Sequence, residues 1–383
     1  MTTLSPEAPA SRVRPAERHR VLLAPITVTP SKPLTPSHLK GLLWTDVMYR
    51  ATRPLAEVTY RYSHTTYHAT EQTLGFWEFL DRTHGDVDYS GLTVEQIGEL
   101  YVAFRAADRA PAEALRPYDD AAERGWVHPA SARVLQLWSG QYAALGLHDP
   151  GLLRHQPPGL TLEAMLSRLT ALGMCLDQRD VGGPVYLDLT RHGLPLRQLV
   201  TPDGRPNYLC CALRELLPLA PDFDEVVLLY DGELDPDYQQ LARVLAAQGP
   251  RVRRVSLGRV PVDGQIRSAR HGGWRDLHAG PLLENALAEH DAAAVCLGMR
   301  LYFIAVLGPG QQQSFRADLL RQTLRRAARL LEAAPQHEVS PLAEHLARHR
   351  KDQLYVDPYR LTSGLLGRRR AAPALDLLAT VFL

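Results

Sequence analysis

Lysine is nearly absent from this chain of 383 residues. Of its 43 basic residues, three are lysines, Lys32, Lys40 and Lys351, and the others are arginines. Acidic residues number 42, so the formal net charge is only +1. A chain with no excess of either sign has no global electrostatic attraction for nucleic acid or for a membrane surface. The composition therefore supports neither class of partner.

Cysteine is also scarce, and long apolar runs are missing. The four cysteines, Cys175, Cys210, Cys211 and Cys296, lack the spacing of metal ligands. We therefore expect a reduced, cytoplasmic setting and no protein metal site. The sequence shows no signal peptide and no apolar run long enough to span a membrane. No membrane partner is expected.

Two of the three lysines lie together near the start of the chain. An apolar run at 21–24 is followed by two Thr-Pro steps, by Lys32, and by an amphipathic helix that begins near Ser37 and contains Lys40. A strand, a tight turn and a helix start present backbone N–H groups and the positive end of the helix dipole to an anion. This stretch therefore predicts a phosphate site that uses a compact ammonium group.

The hydrophobic pattern alternates strands and helices at both ends of the chain and is helical in the middle. We predict a first strand at 21–27, a helix at 38–53 and a second strand at 57–62. The predicted helices of the middle are 94–107, 112–124, 130–145 and 162–172. Strands return at 185–189, 225–230 and 252–257, with helices at 208–217 and 237–248. The expected fold class is α/β, a Rossmann-like core split by a helical insertion.

The same pattern predicts five segments. They are a disordered tail at 1–18, the first half of the core at 19–91, the helical insertion at 92–182, the second half of the core at 183–335, and a helical C-terminal segment at 336–383.

Four stretches, in order, resemble the arginyl-tRNA synthetase family. Residues 32–41, KPLTPSHLKG, resemble its signature K-P-L-H-V-G-H-L-R-G, a form of the class I HIGH motif. Residues 100–102 and the helix around them resemble its helices after the first half of the core. Residues 203–209, DGRPNYL, resemble D-G-T-x-T-Y-x-T-R-D, and 264–277, GQIRSARHGGWRDL, resemble the KMSKS loop. Together they span roughly residues 20 to 335.

This resemblance implies a class I synthetase core of the HUP type that binds ATP with Mg²⁺ and adenylates an amino acid. It implies catalytic roles for Lys32, His38 and Arg270. The ATP-binding residues that it implies are Thr35, Ser37, His38, Gly232, Arg267, Ser268 and Arg270. In some family members without the KMSKS lysine, the lysine just upstream of HIGH is thought to compensate, and Lys32 occupies that place.

The sequence departs from the family at positions of the HIGH and KMSKS motifs and of the amino-acid pocket. Thr35 replaces the first HIGH histidine, and Ile266 and Ala269 fall on the KMSKS lysine positions. In the family, an aspartate binds the guanidinium of the arginine substrate. The matching position in this sequence is Ala212. Because a guanidinium buried without a carboxylate is costly, we infer that arginine either is not the substrate or is held differently. The substrate-binding residues implied are Thr29, His64, Tyr208 and Cys211.

Three functions remain open. The first is a tRNA-independent ligase of specialised metabolism that adenylates a carboxylic acid, such as an amino acid, and transfers it to an amine of a small metabolite. We favour it because the family's tRNA-binding and anticodon-binding domains find no counterpart in the sequence. The second uses tRNA as acceptor or donor. The third is a degenerate, non-catalytic relative of the synthetases.

Structural interpretations stand beside these roles. Lys40 would lie on the exposed face of its helix, and Arg267 and Arg270 would belong to a solvated loop. Tyr208 would be a core residue. We favour a polar pocket wall over a metal site for His64 and His68, and structural burial over nucleophilic chemistry for Cys210, which has no identifiable base.

Overall fold

A strand, a helix and a parallel strand begin the fold. The computed structural model describes residues 18–275, 277–310, 313–334, 341–367 and 373–383. Strand β1 (Arg20–Pro25) leads into helix α1 (Pro36–Thr52), and β2 (Glu57–Tyr60) pairs in parallel with β1. Thr35 caps α1 and Pro36 occupies its first turn, which fixes where the helix begins. The predicted βαβ start is confirmed, and the predicted tail lies almost entirely outside the described residues.

Five helices follow. They are α2 (Glu71–His84), α3 (Val94–Ala106), α4 (Ala112–Glu123), α5 (Pro129–Ala144) and α6 (Leu162–Ala171). Buried aromatic side chains of α2, α3 and α5, Trp77, Tyr101 and Trp138, share one apolar core with Leu39 and Leu43 of α1. The helical block is therefore packed against the first crossover helix, and α3 is held close to the loop that precedes it.

A small antiparallel sheet stands where the sequence pattern suggested a return to the core. Strands β3 (Cys175–Asp177), β4 (Val185–Leu187) and β5 (Arg197–Val200) pair in that order. The connections are shorter than the dozen or so residues that a parallel crossover needs, so adjacent strands must run antiparallel. The predicted strand at 185–189 thus belongs to this sheet, and the boundary predicted at 182/183 falls inside it. Helix α7 (Tyr208–Leu216) comes next.

The main sheet is completed by strand β6 (Glu225–Asp231), helix α8 (Asp235–Ala246) and strand β7 (Arg251–Leu257). Its order is β2-β1-β6-β7, and all neighbours are parallel. Val21 and Leu23 face the core that contains α1, whereas Leu22 and Ala24 face the core that contains α8. Helices therefore cover both faces, as expected for a buried parallel sheet. The predicted α/β class is confirmed.

Helices also predominate in the remaining described residues. They are α9 (Ala279–Glu289), α10 (Ala292–Arg300), which continues as a π-helical turn at Leu301–Val306, α11 (Ala317–Glu332), α12 (Leu342–Ala347), α13 (Pro358–Ser363) and α14 (Leu375–Leu377). Val381 and Phe382 are buried against Val47 and Met48 of α1. The C-terminal segment thus packs on the sheet's helical layer. No helix within the described ranges is long and apolar enough to cross a membrane.

Candidate functional site

The strand order places a crevice at the carboxyl ends of β1 and β6. The chain crosses from β1 to β2 on one side and from β6 to β7 on the other. Ligands of open parallel sheets bind where the direction of winding reverses in this way, because the loops after the two central strands separate. Three loops lie at this edge: 26–35 after β1, 232–234 after β6, and the long segment after β7 that begins at 258.

Lys32, in the first of these loops, is buried without a counter-ion. It is 4% exposed, and its Nζ lies 4.8 Å from the centre of the Tyr101 ring. Its nearest polar side-chain partner is Ser31 Oγ, at 3.4 Å, and no carboxylate pairs with it among the described residues. Burial, then the charges of Arg270 and Arg105, lowers the pKa of Lys32 to about 7. An ammonium surrounded by cations favours an anionic ligand.

Helix α3 forms the wall opposite the Lys32 loop. It supplies Tyr101, and Arg105, whose buried Nε has no hydrogen-bond partner among the described residues. Gly98 of the same helix allows a close approach, because a Cβ there would come within 2.6 Å of the Trp274 ring and 2.9 Å of Pro33 Cδ. Two loops from distant parts of the sequence therefore meet on one helix.

The KMSKS-like loop is fastened to this helix. Arg275 makes two hydrogen bonds, of 2.7 and 2.6 Å, to the carboxylate of Glu99. Ser268 caps the short turn Ala269–His271, and its Oγ accepts a hydrogen bond from the Arg270 backbone N–H at 3.3 Å. The guanidinium of Arg267 lies 3.3 Å from Asp263. Arg270 is an exposed residue of this loop, as expected for a solvated loop. After burial, its charge and that of Arg105 lower the pKa of Lys32.

His38 stands at the start of α1 as a neutral donor. Its Nδ1 accepts a hydrogen bond from the Thr35 backbone N–H at 3.1 Å, and Thr35 Oγ1 accepts one from the His38 N–H at 3.4 Å. Burial, followed by the charges of Lys32 and Arg259, lowers the pKa of His38 to about 3. Since Nδ1 is an acceptor, the ring proton lies on Nε2. Ser37 is occupied differently, because its Oγ accepts from the Val260 N–H at 2.9 Å.

Gly232 lies after β6, between two carboxylates that bind one arginine. The Arg259 guanidinium contacts the Asp231 carboxylate and lies 2.9 Å from Glu233. Arg259 and Arg105 are two site residues that the sequence analysis missed. The signal for Arg259 was its position two residues after the end of β7, at the carboxyl edge of the sheet. Arg105 gave no such signal.

The predicted substrate residues divide into two groups. Tyr208 stacks on Tyr67 with ring centres 4.3 Å apart, and its hydroxyl accepts a hydrogen bond from the Thr27 N–H at 3.3 Å. Thr29 Oγ1 accepts one from Gln72 at 2.8 Å. These residues border the loop after β1. Cys211, in contrast, is fully buried in the core beneath α7, and burial raises the pKa of its thiol.

Lys40 does not belong to this site. The interpretation of an exposed lysine is wrong, because the residue is 1% exposed. Its Nζ donates to the carbonyl oxygens of Gly258, Pro309 and Gly310 at 2.9, 3.3 and 2.8 Å. Lys40 therefore joins α1 to the segment after β7 and to the turn after the π-helical segment. Of these two lysines, only Lys32 is left without carbonyl acceptors among the described residues.

Metal ligands do not gather at this edge. In the part of the chain that the structure describes, no three His, Cys, Asp or Glu side chains are placed to hold a metal ion. Of the carboxylates named above, Asp231 and Glu233 are both paired with Arg259.

Solved structures show the same fold. An arginyl-tRNA synthetase from Thermus thermophilus superposes with a TM-score of 0.59 at 16% identity, over 98% of this chain and 75% of that one. This chain is similar in fold to arginyl-tRNA synthetases. The synthetase of Plasmodium falciparum gives a TM-score of 0.56 at 10% identity, over 83% of this chain and 58% of that one. Neither a protein-family model nor a curated protein matches the chain by sequence. The prediction of an arginyl-tRNA synthetase-like protein is confirmed for the fold.

Proposed function

We propose that this protein is an ATP-dependent ligase that adenylates an amino acid or a related carboxylic acid other than arginine. The observation that carries the proposal is Lys32, an ammonium buried without a carboxylate beside Arg105 and Arg270. It lies in the crevice where the winding of the parallel sheet reverses. A triphosphate is the ligand whose charge compensates such a group.

The reaction needs positioning and charge stabilisation more than covalent chemistry. A carboxylate oxygen of the acid attacks the α-phosphorus, the bond from that phosphorus to the bridging oxygen breaks, and pyrophosphate leaves with the electron pair. Lys32 and Arg270 stabilise the charge on the phosphate oxygens. The Nε2–H of His38 donates a hydrogen bond to the same oxygens. An amine then attacks the acyl carbon, AMP leaves, and the amine proton passes to solvent.

Mg²⁺ would enter this site with the nucleotide. Mg²⁺ usually binds through one or two carboxylates together with phosphate oxygens and water. Asp231 and Glu233 stand at the carboxyl end of β6 and are the carboxylates nearest to Gly232, but Arg259 occupies both. Phosphate oxygens and water would therefore supply most of its ligands.

We propose a small metabolite amine as the acceptor. The near-neutral charge of the chain offers no general attraction for the phosphates of tRNA. A gel shift with total tRNA separates the two acceptors. We expect no shift at moderate salt, and a salt-sensitive shift would make tRNA the acceptor or donor.

Pyrophosphate exchange tests the adenylation. Purified protein is incubated with ATP, Mg²⁺, labelled pyrophosphate and a panel of amino acids and related acids. We expect label to enter ATP with at least one acid, and Lys32→Ala to abolish the exchange. Arg179→Ala is the matched control, because Arg179 is paired with Glu163 of α6 and with Asp177 of β3. Unchanged exchange in Lys32→Ala would refute the role of Lys32.

A non-catalytic binding protein is the second candidate. The observation in its favour is that several polar groups of the loop after β1 are already bound within the protein. The N–H groups of Thr27 and Val28 donate to the hydroxyls of Tyr208 and Tyr62, and Ser37 is bound to Val260. Calorimetric binding of ATP, without exchange by any acid, would favour this candidate over the ligase.

A further inference from the structure

Two histidines in the turn after β2 are buried side by side, with their rings tilted by 58°. His64 and His68 are 3% and 2% exposed, and their ring centres lie 5.3 Å apart. The single helical turn Thr65–Tyr67 separates them in sequence. Histidine is seldom buried so completely without a ligand or a hydrogen-bond partner.

Three of their four ring nitrogens have no hydrogen-bond partner in the described parts of the chain: His64 Nδ1, His68 Nδ1 and His68 Nε2. Each buried polar atom left without a partner loses its hydrogen bonds to water and gains none in return. A pair that concentrates three such atoms is expensive to keep unless something binds it.

The surroundings keep both rings neutral. Burial, then the charge of His155, lowers the pKa of His64 to about 4. Burial also lowers the pKa of His68, assisted by His64 and His155. The edge of Trp77 meets the His68 ring with centres 5.0 Å apart. Each neutral imidazole then offers one N–H donor and one lone pair, so the pair suits a group that both donates and accepts.

The turn that carries the pair borders the predicted acid pocket. Tyr67, between the two histidines, stacks on Tyr208, whose hydroxyl binds the loop after β1. The hydroxyls of Ser63 and Thr65 both donate to the Gln156 carbonyl, which fixes the position of the turn. The histidines are therefore held rigidly beside the residues implied for acid binding.

A buried carboxylate nearby is already neutralised by the protein. Glu215 lies 2.6 Å from Arg61 Nε and acts electrostatically on Tyr67. The Nη2 of the Arg61 guanidinium donates to the Gln156 and Pro157 carbonyls at 3.4 and 3.1 Å. A cationic side chain would find this carboxylate already paired with Arg61. An anionic side chain would meet the same burial that raises the pKa of Glu215 to about 7. A neutral polar side chain meets neither cost.

On the basis of the proposed adenylation, we infer that His64 and His68 form the side-chain subsite of the acid pocket and select a carboxamide side chain. The carboxamide oxygen accepts a hydrogen bond from the N–H of one imidazole, and its NH₂ donates to the lone pair of the other. The two neutral rings provide no opposite charge for a charged side chain.

The test compares side chains of matched size. Pyrophosphate exchange is measured with glutamine, asparagine, glutamate, methionine and arginine. We expect a carboxamide to exceed its matched acid and the apolar side chain by at least about 100-fold in kcat/KM, because an analogue without the hydrogen bonds leaves buried groups unpaired. A preference for methionine, arginine or glutamate would overturn the inference.

Variants assign the preference to the pair. His68→Phe keeps a ring but removes both nitrogens, and we expect it to lower kcat/KM for the carboxamide about 100-fold with unchanged ATP affinity. His64→Phe should act in the same way. Near-UV circular dichroism checks the fold of each variant. An equal loss for every acid in a folded variant would contradict selection by the pair.

A binding measurement separates this inference from the ligase proposal. Imidazole nitrogen NMR of the wild-type protein is recorded with glutamine, asparagine, glutamate and methionine. Shifts of the two buried histidines on adding a carboxamide alone support the subsite, even if no acid supports exchange and the ligase proposal fails. If no amino acid shifts them, the pair is satisfied by ordered water and the inference falls.

Discussion

Lys32 and Lys40 are eight positions apart and both are buried, yet their surroundings are opposite. Lys40 donates to three carbonyl oxygens. Burial lowers its pKa to about 8, and the charge of Asp231 acts in the opposite direction. Lys32 makes one long contact, with the Ser31 hydroxyl, and lies over the ring of Tyr101. The charges of two arginines also lower its pKa. The hydrogen-bonding needs of the Lys40 ammonium are therefore met within the fold, and those of the Lys32 ammonium are not.

This difference predicts that Lys40 contributes to stability and Lys32 to function. A buried cation with good acceptors holds elements together, and its removal leaves those acceptors unpaired. A buried cation among other cations destabilises the free protein, so a ligand must supply the compensating charge. Four changes test whether the two lysines differ in this way.

The largest effect is expected for Lys32→Met. It should lower the rate of pyrophosphate exchange about 10³-fold, because a phosphate-binding charge is lost from a water-poor site. The melting temperature should stay the same or rise, since an uncompensated charge is removed. Exchange assays and calorimetry measure the two effects. A large drop in stability would show that Lys32 has a structural partner.

Lys40→Met should show the reverse. We expect it to reduce the free energy of unfolding by about 3 kcal/mol, because three carbonyls lose a charged donor. Lys351→Met is the control, since Lys351 is exposed. Urea unfolding of both variants gives the comparison. A Lys40→Met protein as stable as the control would mean that solvent replaces the lost donor.

The pH dependence of ATP binding should come next in size. The pKa of Lys32 is lowered to about 7 in the free protein, so its charge is present below pH 7 and lost above it. We expect the Kd for ATP to rise about tenfold from pH 6.5 to 8.5, as titration calorimetry can measure. Lys32→Arg should remove this dependence, because a guanidinium stays charged throughout the range. The same slope in Lys32→Arg would assign the titration to another group.

The smallest effect is expected at the edge of the site. Arg275→Ala breaks the half-exposed pair with Glu99, a contribution of about 1 kcal/mol or less. Because the pair ties the loop that carries Arg270 to α3, KM for ATP should rise about threefold while the melting temperature hardly changes. Arg179→Ala, which breaks an exposed pair on the small sheet, should leave KM unchanged.

The features that could be predicted from the sequence depend on residues close to one another in the chain. The cap at Thr35, the proline after it and the apolar run of β1 act within a few residues, so the helix start and the loop containing Lys32 were visible in the sequence. The periodicity of α3 to α6 was equally visible. The small sheet was misjudged because β3 and β5 are three and four residues long, too short to give a clear pattern.

Long-range contacts account for what was missed. Lys40 was expected at the surface because nothing near it in sequence accepts its charge, while its acceptors lie more than 200 residues away. Arg105 and Arg259 come from a helix and a loop that only folding brings to the crevice. The burial of Cys211 likewise depends on which face of α7 packs inward.

The sequence by itself determined where the loop after β1 lies, which lysine precedes its helix, and that Ala212 stands where the resemblance places the arginine-binding aspartate. Those are properties of adjacent residues and of their spacing. Tertiary structure decided which lysine is left without a partner, and which histidines are buried together. Burial and charge compensation are sums over neighbours from the whole chain, so they exist only once the chain is folded.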